Sequence, residues 1–371
     1  MLNRILKIDW VLFLPMMLLL GIGLTVLYSL SVASAGGDGL SIFWRQMIFA
    51  VIGLGAMLFF ASTNYQNLKS QSTPIYFLTL LVLIFVLLFG RNVRGTVGWI
   101  GFGAFHVQPV EIAKLSLIIF LASFISQKKM ELGETGRLIA SLILSGMIIF
   151  LVIMQPDFGS SMVLVGILIG MTLVSGVSTK KVILIAIAGV IISTGIWFKL
   201  ETYQKDRILN LVQPGVIDPR GSGYNVNQSM IAVGSGGLMG KGIGHGSQSQ
   251  LNFLPEKHTD FIFASIAEEL GLLGSMFVIG LYGVMFWRMR TIAMNSPDNL
   301  GFLIAVGVML MFFLQVWENI GMNMGIMPVT GIPLPLLSYG GSSLIVVMAS
   351  IGILSSISSR RETTLSRDEG Y

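Results

Sequence analysis

The sequence predicts an all-α, polytopic integral membrane protein of about ten transmembrane helices, and three observations carry that prediction. Hydrophobic residues fill 54% of the 371 positions and charged residues only 11%. Mean hydropathy is +0.82, which does not describe a soluble domain. Apolar runs approaching the ~20 residues needed to cross a ~30 Å hydrocarbon core recur along the whole chain.

Taken in order, the first run lies at about 10–29. It follows Arg4 and Lys7 and outlasts a signal-peptide core with no clear A-x-A cleavage site, so it is expected to stay as an anchor. Six further runs fall at about 46–62, 75–89, 110–126, 138–154, 160–175 and 182–200. A long loop at about 201–260 then separates the seventh helix from the eighth. The last three runs lie at about 261–287, 300–324 and 338–358. One transmembrane domain over 1–371 accommodates all of them.

Orientation follows from basic residues in short loops, which resist translocation. With the N-terminus inside, one set of loops carries Arg4, Lys7, Lys69, Lys128, Lys129, Arg137, Lys180, Lys181, Arg288, Arg290, Arg360, Arg361 and Arg367. The opposite short loops carry Arg45, Arg91 and Arg94. Both termini are therefore expected in the cytoplasm, and the 201–260 loop outside. The net charge of +5 is what such loops produce, so no nucleic-acid partner is needed to explain it. The chain has no cysteine, which excludes disulfides, thiol catalysis and Cys-ligated zinc.

This topology puts the unusual stretches on the outer side: 90–114, QPDFGSS at 155–161, the 201–260 loop, and NMGIMPVTGIPLPLLSYGGSS at 323–343. The last has three prolines near membrane depth, where broken backbone is tolerated only against protein or a water-filled cavity; an outward-opening cavity is expected. The glycine-rich run GSGGLMGKGIGHG at 234–246 matches neither a Walker nor a Rossmann fingerprint. A backbone cradle for an anion and a plain re-entrant turn or lid are both open for it.

An ionisable residue at a membrane boundary is a functional-site hypothesis by default, and Asp260, at the head of an apolar segment in HTDFIFASIAEELG, is the leading one. A helix cap is its plain alternative, as it is for Asp157 in QPDFG. Glu111 and Lys114 are three apart on one helical face, so they neutralise each other or offer Lys114 to a phosphate. Glu268 lies roughly 80° around the helix from Asp260 and is expected to face a cavity, whereas Glu269 points away and braces a neighbour. Glu318 reads as interhelical glue beside Trp317 and Asn319. His258 has no partner at metal-ligand spacing.

QPVEIAK, QPDFGS, QSQLNFLPEK, HTDFIFASIAEELG and MPVTGIPLPLLSYGGSS, in that order over nearly the whole chain, resemble the SEDS family of shape, elongation, division and sporulation proteins. Within it, QSQLNFLPEKHTDF and the short N-terminal tail look like the rod-shape elongation branch rather than the division branch. The resemblance implies a ten-helix fold and polymerisation of lipid II, the lipid-linked disaccharide-pentapeptide, into glycan strands of peptidoglycan. It implies work in the bacterial inner membrane with a class B penicillin-binding transpeptidase and other cell-wall elongation proteins. It makes Asp260 the catalytic aspartate. Two departures stand out: Val110 replaces a serine in QPSE, and Gly98 precedes Trp99 where an arginine is common.

Such a reaction needs one base and charge stabilisation of a diphosphate leaving group. Asp260 would deprotonate the acceptor sugar's 4-hydroxyl. The candidate substrate contacts are Lys114, Glu111, Arg94, Arg207, Lys241, His258, Glu268 and Ser338. A divalent cation such as Mg2+ or Mn2+ is a candidate cofactor, with no ligands assigned. A flippase or transporter of the same lipid is the rival activity and a structural scaffold the rival class; the absence of an obvious inverted repeat disfavours the first.

Overall fold

The structure is a computed structural model, and it describes residues 8–33, 39–93, 96–102, 105–127, 134–178, 180, 181, 183, 187, 205 and 222–368. It is mostly helical. Apolar helices occupy α1 (Trp10–Ala33), α2 (Gly39–Ser62), α3 (Asn67–Phe89), α4 (Pro109–Ser126), α5 (Glu134–Met154) and α6 (Phe158–Val174). Two shorter helices follow, α7 (Ser222–Ser235) and α8 (Ser247–Gln250), then the long α9 (Ile262–Met294), α10 (Asn299–Asn323) and α11 (Gly341–Asp368). Eight are long and apolar enough to cross a membrane, and α6, at 17 residues, is a shorter apolar helix. The span expected at 182–200 lies almost entirely outside the described residues.

Helices α4, α10 and α11 form the centre, with most of their side chains buried. Around them, α1, α2, α3, α5 and α9 turn large apolar side chains outward, such as Phe59, Leu81, Phe150 and Phe277. Those residues have no aqueous rationale and suit contact with lipid. Small residues let the helices approach closely, as membrane packing requires: a Cβ on Gly352 of α11 would fall 2.3 Å from the Met57 carbonyl oxygen of α2.

The segment 90–107 departs from the all-helical expectation. It forms a three-stranded antiparallel sheet, β1 (Arg91–Val93), β2 (Thr96–Phe102) and β3 (Phe105–Val107), with Arg91 opposite Trp99 and Ile100 opposite Val107. Val, Thr, Trp, Ile and Phe suit a pleated surface, and the glycines among them read instead as loop. The Val97 N–H donates to the Gln155 carbonyl at 3.2 Å, so the sheet leans on the QPDFG turn.

Bonds between element ends sort the molecule into two ends. At one, Arg288 grips Asp9 at 2.7 Å, Ser358 donates to the same carboxylate, Ser356 to the Thr63 carbonyl, and Gln66 to Asp298. At the other lie Gln46, the 330–340 segment and residues 258–260. Asp260 and the Arg288 cluster are thus separated by the length of α9.

Candidate active site

Helix α9 starts one residue late for Asp260 to be its cap. Phe261 takes the N-cap position without a side-chain cap bond, and the N3 donor, the Ala264 N–H, is accepted by Asn323 Oδ1 at 3.0 Å. Asp260 therefore sits on the turn before the helix, half-buried. Its neighbours in sequence are pinned by the SYGG segment. Ser338 Oγ donates to the Thr259 carbonyl at 2.6 Å, and the Tyr339 N–H donates to the His258 carbonyl at 2.8 Å. From the other side, Asn319 and Asn323 each donate to the Asp260 carbonyl at 2.9 Å. Ser338 is thus a backbone clamp beside the aspartate.

The irregular segment after α10 faces the carboxylate. Gly331 has φ +75, which favours glycine. A Cβ there would have Asp260 Oδ2, at 3.6 Å, as its one neighbour within 4 Å among the described residues. Broken backbone at this depth is satisfied by protein: Asn319 donates to the Ile332 carbonyl, Tyr282 to that of Pro335, the Leu334 N–H to Ser338 Oγ, and Gln46 to the Ser338 carbonyl. Along 332–338 the segment is packed against protein, with Pro333 alone not fully buried.

Glu111 and Lys114 are the expected pair, 2.8 Å apart and both buried in α4. Lys114 is near enough to Asp157 and Glu318 to act on both electrostatically. Asp157 caps α6, accepting from the Ser160 N–H at 3.0 Å and from Gln108 Nε2 at 3.1 Å. Burial pushes its carboxyl pKa up. Trp317 faces outward, so the gluing on α10 is done by Asn319, Asn323 and Glu318.

Glu268 faces the glycine loop rather than an open cavity. Its carboxylate accepts from Lys241 at 2.8 Å and from the Gln248 and Ser249 N–H groups at 2.9 Å each, which holds α8 and commits Lys241. Glu269 braces α1 and α8 as expected, accepting from Ser29 and Gln250. The glycine run neighbours a break in α9 at Gly271, φ +68. There the Leu272 and Leu273 N–H groups donate to the Gly237 and Leu238 carbonyls, and those of Lys241 and Gly242 donate to Glu268 and Glu269. The run is a backbone patch on a broken helix, in keeping with the re-entrant-turn reading.

His258 Nδ1 is buried without a partner among the described residues. Burial, with the nearby Lys257 charge, pushes its pKa down to about 4. It is neutral at ordinary pH. Burial also lowers Lys257, whose ammonium rests on the Ser249 carbonyl and Asn252 Oδ1. Arg94 and Arg207 lie outside the described residues. Gly98 on β2 lies beside Gln155, so the region of the missing arginine adjoins the Asp157 turn. Among the described residues no group of three or more His, Asp or Glu is arranged to hold a metal. A self-standing divalent site does not fit them.

Sequence reasoning missed the role of Asn323 and of Gln46; the signal available was a polar residue inside an apolar span, which usually has a buried partner.

The chain is similar to known proteins along nearly its whole length. The peptidoglycan glycosyltransferase MrdB of Escherichia coli (strain K12) is 40% identical over 354 residues, 94% of each chain. Stage V sporulation protein E of Bacillus subtilis (strain 168) is 38% identical over 356 residues, 94% of this chain and 96% of its own. A chain from a solved peptidoglycan synthase complex, described as coordinating polymerization and crosslinking, superposes with TM-score 0.79 at 29% identity, covering 95% of this chain and 98% of its own. The model for the FtsW, RodA and SpoVE cell cycle proteins matches residues 9–363, and this chain belongs to that family.

Proposed function

We propose that this protein is a peptidoglycan glycosyltransferase that polymerises lipid II into glycan strands during cell-wall elongation, with Asp260 as the general base. The observation that carries the reading is a half-buried carboxylate on a turn clamped at three consecutive carbonyls. Fixed placement of a base is worth orders of magnitude in rate, and a clamped turn supports it. The name of MrdB supports the same activity.

In this reading Asp260 takes the proton from the acceptor 4-hydroxyl as its oxygen attacks the anomeric carbon of the donor. The carbon–oxygen bond to the lipid diphosphate breaks, and the diphosphate leaves as an anion. A single displacement inverts the anomeric centre. Lys114 contributes positive charge to the diphosphate from α4, with Glu111 holding its side chain. A divalent cation, if one takes part, would draw its ligands largely from the substrate's phosphates; no step here depends on it. The site faces outward from the bacterial inner membrane, and the partner is a class B penicillin-binding transpeptidase with further elongation proteins. The solved peptidoglycan synthase complex supports a partnered enzyme.

Polymerisation of labelled lipid II by the purified protein, with and without the transpeptidase, tests the reading. Glycan strands that disappear in Asp260→Asn support it. Movement of intact lipid II across vesicles without polymerisation supports a transporter instead, a reading that the broken α9 and the irregular 324–340 segment keep in play.

A further inference from the structure

Two buried asparagines converge on the backbone of the catalytic turn. Asn319 and Asn323 lie four apart on the last turns of α10, on one face, and neither has exposed surface. Each Nδ2 donates to the Asp260 carbonyl at 2.9 Å. A carbonyl oxygen has two lone pairs, so its accepting capacity is filled. Asn319 Nδ2 also donates to the Ile332 carbonyl at 2.8 Å. Ile332 follows Gly331, where a Cβ would lie 3.6 Å from Asp260 Oδ2. One amide therefore ties the turn bearing the carboxylate to the wall in front of it.

The amide orientations are determined by their partners. Asn323 Oδ1 meets the Ala264 N–H at 3.0 Å while its Nδ2 meets carbonyls, and a flipped amide would oppose like groups on both sides. Ser229 Oγ donates to the Asn323 carbonyl at 2.8 Å and holds the end of α10 from α7. Capping α9 needs only Asn323 Oδ1. The two donors aimed at the Asp260 carbonyl do nothing for the cap.

We infer that Asn319 and Asn323 are positioning residues for Asp260, setting the register of its carboxylate against the Gly331–Ile332 wall where the acceptor hydroxyl must sit. The inference rests on the catalytic reading of Asp260. Displacing a base by ~1 Å costs ~10²-fold in rate. Neither asparagine touches the substrate's binding determinants in this account, so turnover should respond and affinity should not.

The test uses the full chain with its transpeptidase partner and labelled lipid II. Asn323→Asp keeps an acceptor for the Ala264 N–H and removes the donor to Asp260, at the cost of a buried carboxyl set against the Asp260 and Asn319 carbonyls; Asn319→Leu removes both Asn319 donors and strands the Ile332 carbonyl, and Asn319→Ser, the smaller change, stands in for either variant that does not fold. Each, assayed below its own lowered thermal midpoint, is expected to lower kcat by ~10²-fold with KM within ~3-fold of wild type. In an Asp260→Glu background, where the carboxylate is already displaced, Asn319→Leu should cost less than ~3-fold more, because residues acting through one group are not additive. Folded variants with wild-type kcat, or penalties that add fully on Asp260→Glu, would overturn the inference. Wild-type turnover by Asp260→Asn would instead remove the base itself and defeat the catalytic reading, whereas an inactive Asp260→Asn beside a fully active Asn323→Asp defeats only the positioning role.

Discussion

Lys114 has no exposed surface and lies 2.8 Å from Glu111, so removing its charge strands a buried carboxylate. Lys114→Met keeps most of the stem and should cost about 3–5 kcal/mol of stability from the unpaired Glu111. Pairing it with Glu111→Gln should restore the thermal midpoint. If Lys114 stabilises the leaving diphosphate, the stable double variant stays slow by ~10²-fold, the scale of one lost stabilising group. Recovered turnover would make the pair purely structural. His258 gives a pH prediction at the same scale. Its folded pKa of about 4 lies below the unfolded value of ~6.5, so the unfolded chain binds a proton first as pH falls. His258 therefore costs no stability above about pH 6.5, and costs progressively more from there to pH 4, up to about 3 kcal/mol at ~1.4 kcal/mol per unit. Thermal midpoints of wild type and His258→Gln should shift relative to each other only within that window. A constant offset from pH 4 to 8 would contradict the burial argument.

Among the elements, the pairing of the glycine run with the break in α9 is the most exacting. Gly240 has φ +79, and a Cβ there would lie 2.3 Å from the Glu269 carbonyl oxygen. Gly234, in α7, would meet nothing within 4 Å. Gly240→Ala is expected to lower stability by roughly 2 kcal/mol or more, and Gly234→Ala to be neutral or to stabilise by a few tenths. Equal midpoints for the two would sink the account of the break. Much of this level was legible beforehand. Spans such as α1 and the 75–89 part of α3 are long apolar runs, and Asp157 as a cap and the Glu111–Lys114 pair follow from local spacing alone. The β-sheet was not legible, because glycines between Val97, Trp99 and Phe102 obscure the strand alternation. Nor was the fate of Glu268. Helical angle shows which way a side chain points, but its partners, the Gln248 and Ser249 N–H groups, come from a loop some twenty residues away.

At the scale of the whole molecule, the Arg288–Asp9 end and the Asp260 end are opposite ends of one bundle. The positive-inside argument puts the first in the cytoplasm and the second outside. The chain lacks cysteine, so single probes have no background. A membrane-impermeant maleimide on intact spheroplasts should label His245→Cys and leave Ser178→Cys unlabelled, both positions being exposed. The reverse pattern would put the candidate site on the wrong side of the membrane. The claim on which everything else depends is that Asp260 acts as a base and not as part of the helix start, whose cap Asn323 already supplies. The most direct measurement is polymerisation of labelled lipid II by wild type and by Asp260→Asn with the same thermal midpoint, each with its transpeptidase partner. The account predicts glycan strands from the first and none from the second; strands at the wild-type rate from a well-folded Asp260→Asn would contradict it.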